Sequence, residues 1–258
     1  MSKRSDKTTR PGYDAAFHTT HWTEILSARS GKDSKRETAL EQLLQRYWKP
    51  VYCYLRSKSH DDEVAKDLTQ GFFHEIVLGR DLIQRADQAK GRFRTFLLTC
   101  LNRYVANVRR DQVAKYRMPK GGFVRLETIH GANIPEPAGY TTPAQIFDYA
   151  WASTLMDQVL AELASEFREA RKATHWRVFK ARILDPIVSN ADPPSLADVC
   201  AKEGISSKKK ASNMVITVKR RFQAILWRHV RQLVSSDAEV YEEIRHLMKI
   251  FSRGGAAF

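Results

Sequence analysis

Apolar residues recur along most of this chain at intervals of three and four, the spacing that gathers them on one face of an α-helix, and no segment stands out by the strict alternation of a half-buried strand. Leu40, Leu43, Leu44, Tyr47, Trp48, Val51, Tyr54 and Leu55 mark the first such face. Pro50 inside it predicts a kink. Asp61, Asp62 and Glu63 put negative charge where a helix N-terminus favours it, and Val64, Leu68, Phe72 and Ile76 follow four apart as an apolar stripe. A third helix is predicted from about Phe93 to Lys115. Its apolar side is Phe93, Phe96, Leu97, Cys100, Leu101, Tyr104, Val105 and Val108, and its opposite side carries Thr99, Asn102, Arg103, Ala106, Asn107 and Arg110.

The pattern then breaks. Residues 118–143 hold Pro119, Gly121, Gly122, Gly131, Pro135, Pro137, Gly139 and Pro143 with no sustained period, which predicts a linker. The chain is therefore divided into a helical unit at 1–117, including an N-terminal extension, the linker at 118–143, and a second helical unit at 144–258. In the second unit Phe147, Trp151, Leu155, Val159 and Leu163 describe one helix, and Trp176, Phe179 and Ile183 a shorter one expected to stop at Asp185-Pro186. Ser195 followed by Asp198 has the form of a capping box, Leu196, Val199 and Cys200 supply a buried stripe, and Gly204-Ile205-Ser206 makes a turn. A longer helix follows directly. Its apolar seam is Ala211, Met214, Val215, Val218, Phe222, Ile225, Leu226 and Val230, and Lys208, Lys209, Lys210, Ser212, Asn213, Lys219 and Arg220 fall mostly off it. Ser236 with Glu239 caps a last helix bearing Val240, Ile244, Leu247, Met248 and Phe251. The expected fold class is all-α.

Composition narrows the setting. The 258 residues are 43% hydrophobic, enough to build cores without covalent staples. Cys53, Cys100 and Cys200 form neither a CxxC pair nor an even framework, which fits a reducing compartment. The longest apolar stretches, such as Phe96-Leu97-Leu98, are far shorter than a membrane span, and the opening MSKRSDKTTR has no apolar core of a signal peptide, so a cytoplasmic protein without membrane contact is expected.

Charge changes the picture more. The net charge is +14, and it is concentrated: Arg92 to Lys120 holds eight Lys/Arg and one acid, and Lys202 to Arg231 nine Lys/Arg and one acid. Two basic segments on an otherwise balanced chain read as two footprints for a polyanion. The second coincides with a short helix, a glycine turn and a helix with a polar N-terminal end, the helix-turn-helix arrangement whose second helix enters the major groove. Asn reads adenine there, Lys reaches guanine or phosphate, and the first backbone amides bind phosphate. The first segment mixes arginines and asparagines with aromatics, a surface suited to single-stranded DNA. The spacing of Phe93, Phe96 and Tyr104 makes those rings core residues, which leaves the polar side and the preceding loop as the candidates.

Asp67-Leu68-Thr69-Gln70-Gly71-Phe72-Phe73, followed by Gly91-Arg92-Phe93-Arg94-Thr95-Phe96-Leu97, resembles region 2 of the sigma-70 family of RNA polymerase sigma factors, in its extracytoplasmic-function subfamily. Thr19-Thr20-His21-Trp22, Tyr47-Trp48 with Pro50, Thr142-Pro143 through Phe147-Asp148 to Trp151-Ala152, and Ser212-Asn213 through Val218-Lys219-Arg220-Arg221-Phe222 look like one branch of it, so the resemblance covers nearly the whole chain. It implies core RNA polymerase and promoter DNA as partners, with an anti-sigma or other regulatory protein as a further candidate, and no cofactor, metal or catalytic residue. The helix Val64 to Leu78 would dock on polymerase through Asp67, Gln70 and Phe73. The loop Asp87 to Arg92, with Asp87, Lys90 and Arg92, would capture a flipped base of the −10 element, and Asn102, Arg103, Asn107 and Arg110 would line the opened strand. Ser207, Lys208, Lys209, Lys210, Ser212, Asn213, Lys219 and Arg220 would meet the −35 element. One departure stands out: counting from Gly204, Lys210 falls where such motifs bury a Val or Ile, so the recognition helix is expected to start later or to carry an extra residue. The last helix, from Ser236, extends beyond a minimal factor of this type.

Catalysis finds little support. The eight histidines are scattered, with no HExxH, no His-Cys cluster and no glycine-rich phosphate loop, and consecutive Asp61-Asp62-Glu63 cannot converge on a metal as readily as they cap a helix. The competing reading is a helix-turn-helix regulator that binds duplex DNA without polymerase. It explains the second basic segment and leaves the first unexplained; it also needs a self-complementary dimer surface, for which the last apolar helix is the candidate.

Overall fold

The computed structural model describes residues 33–59, 61–75, 82–87, 92–114, 142–234 and 236–253. Among these residues the fold is all-α, without a strand. The helices are α1 (Asp33–Ser59), α2 (Asp62–Phe72), α3 (Leu82–Arg85), α4 (Phe93–Ala114), α5 (Pro143–Glu169), α6 (Ala173–Phe179), α7 (Asp185–Ser189), α8 (Leu196–Glu203), α9 (Lys208–Arg231) and α10 (Asp237–Arg253), with a π-helical turn, Lys180–Leu184, between α6 and α7. The N-terminal extension, Lys90 and nearly all of the 118–143 linker lie outside the described residues.

Helix starts follow the expected side-chain chemistry. The Asp61 carboxylate accepts from the Val64 amide at 3.0 Å and begins α2. Thr142 and Gln145 cap α5 reciprocally at 3.3 Å, with Pro143 in the first turn, where its missing N–H has no cost. Ser195 and Asp198 close the capping box of α8, and the Ser236 hydroxyl accepts from Glu239 at 3.4 Å to begin α10. α8 stops where Gly204 turns left-handed at φ 65°.

α1 continues past Pro50 as one helix. Two positions differ from the sequence reading. Asp185-Pro186 does not stop its helix: the π turn before it closes on the Lys180 carbonyl, Pro186 enters the first turn of α7, and the chain turns instead at Asn190, φ 48°. A residue without an N–H is tolerated where the hydrogen-bond register has just been widened. In α2 the buried side is Ala65, Thr69 and Phe72, and Val64 is 44% exposed. The small Ala65 and Thr69 allow close approach, and the Thr69 hydroxyl is satisfied by donating to the Ala65 carbonyl at 2.6 Å.

The largest core joins Tyr47, Val51, Tyr54 and Leu55 of α1, Phe72 of α2, Leu97 and Leu101 of α4, Phe147, Trp151 and Leu155 of α5, Val230 of α9, and Val240, Leu247 and Phe251 of α10. Each such buried side chain contributes about 1.5–3 kcal/mol relative to exposure. This core takes residues from both sides of the predicted linker. A second core lies between Val159, Leu163 and Phe167 of α5, Phe179 of α6, and Val218 and Ile225 of α9. A third surrounds α8 with Val178, Val199, Ala211 and Met214. α5, 27 residues and thus about 40 Å long, runs from the first core into the second.

Candidate nucleic-acid interface

The α8–α9 pair has the expected helix-turn-helix order, and its register explains Lys210. Ser207 caps α9 by accepting from the Lys210 amide at 3.2 Å, so the first inward position of the helix is Ala211, wholly buried against α8 and α6, and Lys210 remains exposed. The buried role passes to a small side chain one place further on, the offset that one extra residue between Gly204 and the inward position gives. Ser207 itself spends its hydroxyl acceptor on the cap. With Ala211, Met214, Val218 and Ile225 inward, the outward line of α9 runs through Lys209, Asn213, Ile216 and Arg220. Lys208, Ser212 and Lys219 border that line on one side. Lys210 lies on the other, close enough to His175 of α6 for its charge, after burial, to help hold the imidazole below its ordinary range.

Sequence reasoning missed Ile216, 44% exposed in the middle of this polar line. Helical phase alone would have found it, since it sits four before Arg220 and three after Asn213. The rest of the basic segment has structural work. Arg221 grips Glu166 of α5 with two hydrogen bonds at 2.5 and 2.6 Å, and Arg228 and His229 both reach Glu162. Arg231 pairs with Asp237 at 2.5 Å. Among the described residues no carboxylate pairs with Lys208, Lys209, Lys210, Lys219 or Arg220, so the unneutralised charge is gathered at the turn end of α9.

On α4 the rings are inward, as their spacing requires: Phe93 meets Tyr47 edge-on at 5.4 Å and Tyr104 meets Phe72 at 5.5 Å. Burial pushes the Tyr47 and Tyr104 phenols up to about 12. Arg103, Asn107 and Arg110 are exposed on the outer side, joined by Arg109. Asn102 is exposed but already engaged, its Oδ1 accepting from the Tyr54 hydroxyl and its Nδ2 donating to the Leu98 carbonyl at 3.0 Å. Asp87 is exposed at one end of the preceding loop. Lys90 lies outside the described residues.

Arg92, at the other end of that loop, is not simply open to solvent. Its Nη1 lies 2.7 Å from Oε2 of Glu243, a residue of α10 whose side chain is only 1% exposed. Arg94 donates to Oε1 of the same carboxylate, lies 3.9 Å from Asp148, and stacks over the Trp151 ring at 4.2 Å. Burial raises the Asp148 carboxyl above its ordinary range, with Arg94 opposing, and lowers the His246 imidazole beside it. Tyr47, Arg92, Phe93, Arg94, Trp151, Leu233 and Glu243 line a recess at the head of α4. The sequence reading placed Met248 on the apolar face of α10; it is exposed, and Glu243 takes an inward place.

On α2, Asp67 is exposed and Gln70 half-buried, but Phe73 is 3% exposed and packed edge-on against Phe72 at 5.5 Å. Phe73 therefore belongs to the core, and as a contact for another protein it is corrected. Gly71 has a steric reason: a Cβ there would stand 2.5 Å from the Tyr104 hydroxyl. Asp62 and Glu63 hold Lys66 at 2.7 and 2.9 Å. No helix among the described residues is long and apolar enough to cross a membrane.

No protein-family model, curated protein or solved structure matches this chain.

Proposed function

We propose that this chain is a sigma factor of the extracytoplasmic-function type, which binds core RNA polymerase in the cytoplasm and directs it to promoter DNA. The observation that carries the reading is the pair of outward faces of different chemistry. The turn end of α9 is dense in lysine with Asn213 among them, suited to a duplex groove, and the outer side of α4 is spaced with arginine and asparagine, suited to a strand. In this reading α9 meets the upstream element while still paired, each phosphate contact releasing counterions and adding about 0.9 to the salt slope. Arg103, Asn107 and Arg110 then hold the strand as the duplex opens, where each stacked or edge-bonded base offsets about 1–3 kcal/mol of unpairing. The outer side of α2, with Asp67 and Gln70, would face polymerase.

A free-standing duplex-binding regulator is the second reading. It needs a dimer surface, and the apolar side of α10 is spent inside this chain, with Val240, Leu247, Ile250 and Phe251 all buried. The test is reconstituted transcription. Core polymerase with this protein should initiate at discrete sites that core alone ignores, and the free protein should bind duplex weakly. Tight, specific duplex binding with no stimulation of initiation would replace the proposal with the regulator.

A further inference from the structure

We infer that α10 is an internal competitor of nucleic acid at the head of α4, its Glu243 carboxylate occupying the Arg92 guanidinium that a DNA phosphate would otherwise take. The inference rests on the reading above, in which Arg92 and the outer side of α4 meet DNA.

A charged residue inside an otherwise apolar helix face needs a reason, because burying a carboxylate is unfavourable unless it is paired. Glu243 lies between Val240 and Leu247 on the buried side of α10, and its partners stand 149 and more residues earlier in the chain. Those partners are not equivalent. Arg94 is 8% exposed in its side chain, hydrogen-bonded to Oε1, and fixed beneath by Trp151 and beside by Asp148. Arg92 precedes the first turn of α4 and its side chain is 33% exposed; its 2.7 Å approach to Oε2 is off the hydrogen-bond axis, so that oxygen has a counter-charge without a well-aligned donor. Arg94 is the anchor and Arg92 the arm that can be released.

A guanidinium fits a carboxylate and a phosphate by the same fork of donors, so the two anions compete for it. With Glu243 and Asp148 facing Arg92 and Arg94, the formal charges at the head of α4 cancel, and Arg103, Arg109 and Arg110 further along stay outward and cationic. The free chain then engages a strand by the middle of α4 and adds the head only when Glu243 yields Arg92.

The experiment uses the full chain and a fluorescent single-stranded oligonucleotide, without polymerase, across a salt series. Glu243→Gln should bind roughly five- to tenfold more tightly at low salt, with a salt slope steeper by about 0.7 for the one additional phosphate neutralised. Arg92→Gln should change little in the wild-type background and abolish the whole increase in the Glu243→Gln background. Equal weakening by Arg92→Gln in both backgrounds, or no tightening in a folded Glu243→Gln chain, overturns the inference. Should that variant fail to fold, Glu243→Asp keeps the charge and withdraws it from Arg92, and it too must bind more tightly than wild type or the inference fails. Binding indifferent to Arg103→Ala and Arg110→Ala would remove the nucleic-acid reading of α4 itself. Binding that needs both and ignores position 243 would remove only the competitor.

Discussion

Gly71→Ala is the sharpest test of how α2 is seated. In an exposed helix this change would stabilise by about 1 kcal/mol, since glycine gives up more backbone freedom. Here the added methyl would meet the Tyr104 hydroxyl at 2.5 Å. The hydroxyl is the tip of a rigid ring that is 6% exposed and set edge-on against Phe72 at 5.5 Å, so it cannot swing aside without disturbing the core. Overpacking of this kind costs about 1–3 kcal/mol, and with the helix gain subtracted the variant should lose about 0–2 kcal/mol. Removing the oxygen removes the clash, because the next ring atom, Cζ, is 3.7 Å away, an ordinary contact. Gly71→Ala with Tyr104→Phe should therefore recover the loss and approach or exceed the stability of Tyr104→Phe alone. Urea denaturation followed by helical circular dichroism gives the four free energies of the cycle, with an expected coupling of about 2 kcal/mol. A Gly71→Ala chain stabilised by the full helix gain, or a double variant no better than the single one, would refute the geometry that sets the outward side of α2.

Ser195→Ala should cost about 1 kcal/mol by opening the α8 capping box, read as a lowered urea midpoint at unchanged slope. Asp67→Ala with Gln70→Ala should leave the fold intact and weaken association with core polymerase, measured by co-elution; undiminished association of the folded variant would move the docking surface elsewhere. His246 is held below its ordinary value of 6.5 by burial, with Arg94 adding to it, so the unfolded chain takes up the proton first. Its contribution is present above about pH 6.5 and is lost as pH falls below that value, so His246→Gln should lose less thermal stability than wild type between pH 7 and pH 5, and an identical loss would show that another group governs this range.

Helix starts were legible because they depend on neighbours in sequence: Ser195 needs only Asp198, and Thr142 only Gln145. The seams of α5 and α9 were legible because large aliphatic residues marked them without competition. The phase of α2 differs by one position because Val64 looks more like core than Ala65 or Thr69, and the close packing of α1 on α2 makes small residues the better fit. The resemblance implies Phe73 as a surface contact, and its burial follows from its place in the main core beside Phe72. Helical phase marks position 243 as inward, three after Val240 and four before Leu247. What α10 alone does not show is why a carboxylate stands there, and that reason lies in two arginines far back in the chain.

The seating of α10 also bears on how the chain matures. Phe72, Leu97 and Leu101 are made early, yet the cluster they enter is completed by Val240, Leu247 and Phe251. Contacts so distant along the chain form late and slowly, because the loop they close must be ordered first. On the ribosome, the surface made by the earlier helices would stay open until α10 emerges, and transiently exposed apolar surface of this kind is prone to aggregation. A chain stalled before Val240 would carry both candidate DNA faces on a body whose largest core is unfinished.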